Sequence, residues 1–197
     1  MIVIENTIAW MDVPKTGTTS VKHFLHANKI PFKSLGQHCP RDEPKRWPTA
    51  ILSVRHPALW MRSWWTYRRD TNWCWMQHRW TEHELVSNHG AALNSWEGWV
   101  EAITSREEWV YDHFMWFSAH TRRSAAPLRC GPALLQDFGN ILNQVGISYS
   151  LTGKEKQEKM SLEKPLITID AMSKIYESNK RLYEMYNFSA IPTANDN

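Results

Sequence analysis

The passage that most constrains this chain runs from Ile8 to Leu25, "IAWMDVPKTGTTSVKHFL". A short apolar run breaks into a lysine, a glycine and four hydroxyl residues, then passes directly into a helical pattern. Val21, Phe24 and Leu25 recur at helical spacing and predict a helix from Thr18 to Ala27, while "IVI" and "IAWMDV" before it read as one or two short strand pieces. A helix start offers unpaired N–H groups and the positive end of a dipole. Gly17 allows the backbone to approach an anion closely, and Lys15 adds a positive charge at the mouth. Thr16, Thr18, Thr19 and Ser20 supply hydroxyls. A simple N-cap uses one hydroxyl and needs no lysine, so the stretch predicts an anion site. It is not the Walker loop, whose pattern G-x-x-x-x-G-K-[ST] places the lysine after the second glycine; here Lys15 precedes Gly17.

A second strand-to-helix passage follows. "AILSV", Ala50 to Val54, is an apolar run bounded by Pro48 and by Arg55-His56-Pro57, as expected of a buried strand. Pro57 suits a first helical turn, and Trp60, Met61, Trp64 and Trp65 continue at helical spacing. Arg55 ends the strand, and Ser63 stands eight residues later inside that helix. An arginine fork with a hydroxyl makes a phosphate receptor. Further helices are expected around Trp96 to Ile103, over Trp109 to His120, over the face Leu135, Phe138, Ile141, Leu142 and Val145 with Gly146 as its stop, and from Asp170 to Tyr186. A polar, lysine-rich loop separates the last two. The alternation predicts an α/β fold of three layers, α/β/α, around a small central parallel sheet. Ligands in such sheets bind at the carboxyl ends of strands, where both Lys15 to Ser20 and Arg55 fall.

At 197 residues the chain is expected to form one domain over its whole length. A net charge of +3 is far below that of a dedicated nucleic-acid binder but suits a small polyanion. Cys39, Cys74 and Cys130 show no C-x-x-C spacing, so neither a disulfide framework nor a cysteine zinc site is indicated. No leader pattern or run of about 20 apolar residues is present, and the expected setting is cytoplasmic, without a membrane partner. His78, His83 and His89 are not spaced for one helix face, and no metal is expected. Of 12 tryptophans, ten lie between Trp60 and Trp116, too dense a cluster to be anything but a heavy core or an aromatic-lined pocket. Trp96, Trp99 and Trp116 fit core positions; Trp73 and Trp75, in an aperiodic stretch, fit a pocket or lid.

"VPKTGTTS" followed by "VRHPALWMRS" resembles the PAPS-dependent sulfotransferases, whose 5′-phosphosulfate loop reads P-K-[ST]-G-[TS]-[TS] and whose 3′-phosphate motif is an Arg with a Ser eight residues on. "GQHCPRDE", "LRCGPALLQDFGNILNQVGI" and "ITIDAMSKIYESNKRLYEMYNF" are similar to later segments of that family, so the likeness spans nearly the whole chain. Where related motifs place Asn after the Arg, this chain has His56. The resemblance implies a P-loop-like sulfotransferase fold that moves a sulfonate from PAPS to an acceptor hydroxyl on a carbohydrate or small molecule, releasing PAP without a metal. It implies that Lys15 lies near the oxygen linking phosphorus to sulfur, that Thr16, Gly17, Thr18, Thr19 and Ser20 hold the 5′-phosphate, and that Arg55 and Ser63 hold the 3′-phosphate. His38 is the expected general base, with Glu43 in reserve. The Trp-rich region, about residues 60 to 120, falls where the family builds its acceptor pocket, with Arg62, Arg68, Arg69 and Arg79 nearby. A lysine among Lys154, Lys156 and Lys159 would close over the nucleotide. Two other readings are a nucleotide-dependent phosphotransferase, against which the missing Walker lysine counts, and a non-catalytic module stacking RNA or single-stranded DNA on Trp and Arg.

Overall fold

A computed structural model of the chain describes residues 1–35, 48–71, 88–118, 125–151 and 164–196. Its first apolar residues form a hairpin. Strands β1 (Ile2–Ile4) and β2 (Ile8–Met11) pair antiparallel with Ile4 opposite Ile8. Between them Glu5 and Asn6 take φ of 48° and 52°, and the Thr7 N–H donates to the Ile4 carbonyl at 2.9 Å. Positive φ at both central residues is what a type I′ hairpin turn requires, and it matches the twist of the flanking strands.

Three more strands complete the sheet: β3 (Phe32–Ser34), β4 (Thr49–Val54) and β5 (Ala126–Arg129). Their order is β3-β1-β2-β4-β5. β2, β4 and β5 run parallel, while β1 is antiparallel to both β2 and β3. The expectation of a wholly parallel sheet is therefore corrected to a mixed one. Only strands joined through a helical crossover need run parallel; β1 reaches β2 through a tight turn and must oppose it.

The chain divides into two compact units. The sheet unit comprises residues 1–55, 114–158 and 195–197. Helix α1 (Thr18–Ala27) lies in it, with its expected bounds. Val21, Phe24 and Leu25 of α1 join Ile2, Ile4, Ile8, Trp10, Ile51 and Leu128 of the sheet, and Leu134, Phe138 and Leu142 of a later helix, in one apolar core. Trp10 is fully buried there, its indole N–H donating to Ser53 Oγ on neighbouring β4 at 2.7 Å, so its one polar group is satisfied.

The helical unit comprises residues 56–113 and 159–194. It holds α2 (Pro57–Thr71), α3 (Trp96–Thr104) and the start of α4 (Trp109–Phe117), whose last residues count with the sheet unit. After α5 (Leu134–Gln144) of the sheet unit, the helical unit resumes with α6 (Ile169–Ser178) and α7 (Lys180–Met185). Ser95 caps α3 by accepting from the Gly98 N–H, and Thr168 caps α6 by accepting from the Ala171 N–H. Trp60, Trp64, Trp65, Trp96, Trp99 and Trp109 are all buried in this unit, as the heavy-core reading requires. The imidazole of His113 sits among them, stacked on Trp109 at 4.8 Å and edge-on to Trp64 at 5.5 Å. Trp116 is half-buried, in the sheet unit; Trp73, Trp75 and Arg79 lie outside the described residues.

The single closing helix expected over Asp170 to Tyr186 is instead two, broken at Asn179. Fully buried, Asn179 accepts from the backbone N–H groups of Val110 and Tyr111 at 2.9 and 3.2 Å and donates to the Ile175 carbonyl and Ser178 Oγ. It thereby satisfies the opening amides of α4, which a straight helix through Asn179 would leave without this acceptor. Among the described residues no helix is long and apolar enough to cross a membrane.

Candidate functional site

β2 and β4 lie side by side and parallel, with Met11 opposite Leu52. Their carboxyl ends therefore open on the same edge of the sheet, and each is followed by one of the stretches singled out in the sequence. β5 ends there too, since the Cys130 N–H donates to the Val54 carbonyl at 2.7 Å and extends the ladder.

The loop after β2 is tightly determined. Val13 is fully buried, and its carbonyl accepts from Thr16 Oγ1 at 2.6 Å and from Thr18 Oγ1 at 3.2 Å. Those two hydroxyls, expected as donors to an anion, are spent on the loop itself; Thr19 is exposed and Ser20 half-buried. Gly17 caps α1 with φ 87° and ψ 9°, in the left-handed region, and no side chain caps that helix. Nor does its first turn carry an acidic residue. Its opening amides and dipole are thus not offset by a capping side chain, the condition under which a helix start attracts an anion. A Cβ at Gly17 would fall 2.4 Å from Leu134 Cδ2 and 3.4 Å from Cys130 Sγ. Glycine is required there on two counts, conformation and space.

Lys15, half-buried, also has a left-handed backbone, with φ 64°. Such a backbone is uncommon for a residue with a side chain, although Lys29, just past α1, takes it too. Arg55, from the end of β4, donates through Nη1 to the Lys15 carbonyl at 3.0 Å. Its Nε is buried and meets no hydrogen-bond partner among the described residues. The site's negative charge is balanced nearby: Asp12, buried just before the loop, faces the Met1 amino group at 2.9 Å and Lys22 of α1 at 3.8 Å.

The structure thus brings together Lys15, Thr16, Gly17, Thr18, Thr19, Ser20 and Arg55 at one edge of the sheet unit. Ser63 belongs to the helical unit, on α2, and is 9% exposed. His56, where related motifs carry Asn, is fully buried in that unit, its Nε2–H donating to the Ser189 carbonyl at 2.9 Å and its ring edge-on to Tyr183. His38, Glu43, Lys154, Lys156 and Lys159 lie outside the described residues. Sequence reasoning missed Cys130 and Leu134, which wall the loop; nothing local marks them, because their approach depends on where β5 joins the sheet. Among the described residues no group of three His, Cys, Asp or Glu side chains is placed to hold a metal ion. Compared with family models, with curated proteins and with solved structures, the chain matches none.

Proposed function

We propose that this chain is a sulfotransferase, moving a sulfonate from PAPS to the hydroxyl of a carbohydrate or small-molecule acceptor and releasing PAP. The observation that carries the reading is the meeting of the two motifs. The Lys15 loop and Arg55 follow adjacent parallel strands and touch through the Arg55 to Lys15 hydrogen bond. An uncapped helix start with a lysine at its mouth is a receptor for one phosphate, and the half-buried guanidinium of Arg55 beside it has donors for another anionic oxygen. A nucleotide phosphorylated on both sides of its ribose presents two such groups; ATP presents them on one side only.

In this mechanism the amides opening α1 hold the 5′-phosphate. Lys15 stabilises the charge that develops on the oxygen bridging phosphorus and sulfur as PAP leaves, so its contribution grows toward the transition state. Arg55 holds the 3′-phosphate. The acceptor hydroxyl attacks sulfur in line while His38 takes its proton, and no metal enters the scheme. The fold would be a sulfotransferase variant of the P-loop architecture in which a hairpin has made the sheet mixed, working on a soluble donor in the cytoplasm.

Calorimetric titration with adenosine 3′,5′-bisphosphate, AMP and ATP tests the proposal. PAP is expected to bind in the micromolar range and AMP more weakly by about 2 kcal/mol, roughly 30-fold, for the missing charged contact. Equal affinity for PAP and AMP would remove the second phosphate site. Preference for ATP would turn the reading toward phosphoryl transfer.

A further inference from the structure

We infer that Arg55 is a positioning residue for Lys15, a role beyond binding a phosphate of its own. The argument begins at the Lys15 backbone. Its φ of 64° lies in the left-handed region, which is uncommon and costly for a residue other than glycine, Asn or Asp, so something nearby has to favour it. The constraint acts on both sides. On the amino side, Thr16 and Thr18 pull on the Val13 carbonyl, and the Val13 N–H is held by the Met11 carbonyl at 3.0 Å. These are local contacts, within five residues, and they gather the loop around Lys15; the peptide after Lys15 has a further restraint.

That peptide is fixed from elsewhere. The Lys15 carbonyl accepts from Arg55 Nη1 at 3.0 Å, across forty residues of sequence. A guanidinium has five N–H donors on a rigid plane, so it can hold a carbonyl with one arm while presenting others to a ligand. The geometry fits such a division of labour: Nη1 is engaged on the loop, and the side chain as a whole is only half-buried, with other donors left over. Turning Lys15 back to the right-handed region would rotate its carbonyl away from Arg55. Arg55 therefore selects the backbone state of the residue that carries the lysine, and the adjoining amides that open α1 are set with it.

The consequence separates this role from a purely ligand-binding one. An Arg that only grips a 3′-phosphate is irrelevant to a ligand lacking that group and to the empty protein; an Arg that positions Lys15 matters to both. The first experiment needs no ligand. Triple-resonance NMR reads the Lys15 φ from its coupling constants and carbon shifts in wild type, Arg55→Met and Arg55→Lys. The left-handed signature is expected in wild type, lost in Arg55→Met, and retained in Arg55→Lys, whose ammonium still reaches the Lys15 carbonyl. Should Arg55→Met not fold, Arg55→Gln, polar but two bonds too short, takes its place. An unchanged Lys15 φ in the variant lacking the donor overturns the inference.

The second experiment titrates AMP, which has no 3′-phosphate. Arg55→Met is expected to weaken AMP on the order of tenfold, with Arg55→Lys recovering most of the loss. Unaltered AMP affinity in Arg55→Met would return Arg55 to a 3′-phosphate role alone. If wild type bound neither AMP nor PAP, the nucleotide reading would fall, and the Lys15 φ measurement would still decide the positioning role by itself.

Discussion

Lys15 and Gly17 share a left-handed backbone within one three-residue stretch but answer to different forces. At Gly17 glycine takes the conformation at little cost, whereas a side chain there would be strained by φ 87° and would also press on Leu134 Cδ2. Gly17→Ala should therefore cost about 1–3 kcal/mol of stability and abolish PAP binding, as read by thermal melts and calorimetry. Wild-type affinity in that variant would show that the loop is not the phosphate site. Lys15 is chemically the more interesting position. On the proposed mechanism its charge acts mainly on the charge that develops during transfer, so Lys15→Ala is expected to lower turnover by at least about 100-fold while PAP affinity changes far less. A parallel loss in both would mean that the lysine binds the nucleotide and does no more.

At the scale of elements, Asn179 shows how two helices can be joined by one side chain. Its amide satisfies two N–H groups at the start of α4 and two acceptors at the end of α6, with no exposure to water. Asn179→Ala leaves those amides buried without this acceptor and should cost about 2–4 kcal/mol in a urea titration. A loss under 1 kcal/mol would indicate that water replaces the side chain.

The break at Asn179 also marks where the sequence stops being readable. The periodicity of Ile175, Leu182 and Tyr183 runs through it undisturbed, and the groups that make the break worthwhile are 68 and 69 residues away. The short edge strands were hidden for another reason. "FKS" and "APLR" bury few side chains, with patterns of intermediate and exposed positions, so neither alternation nor an apolar run announces them. By contrast β4 and α2 were legible as nearly continuous buried runs and α1 as an apolar face at helical spacing, each opened by a local boundary signal, Pro48, Pro57 and Gly17 in turn. The candidate site was legible in its two halves for the same reason. Their hydrogen-bonded meeting was not, because it requires the register of β2 against β4.

Taken as a whole, the molecule should respond to alkali through one buried phenol, that of Tyr183. Burial pushes the Tyr183 hydroxyl well above the usual phenol range. A raised value means that the folded state holds the proton more tightly than the unfolded chain does. Its contribution to stability is thus complete below about pH 10, the ordinary phenol value, and declines as pH rises above that toward the folded value, by up to about 1.4 kcal/mol for each pH unit. Urea midpoints between about pH 9 and pH 11 should fall more steeply in wild type than in Tyr183→Phe. Parallel slopes would mean that the Tyr183 phenol binds its proton alike in the folded and unfolded chain, so that its burial does not raise it.

The interleaving of the two units along the chain bears on how the protein is made. A ribosome releases β1 to β4 early, then nearly sixty residues of the helical unit, and only afterwards Ala126–Arg129. Throughout that interval the outer side of β4, the strand that delivers Arg55, waits without the partner it will finally have. A nascent chain stalled in this window would expose an apolar strand with open backbone groups, which is the natural handle for a chaperone and the natural starting point for aggregation.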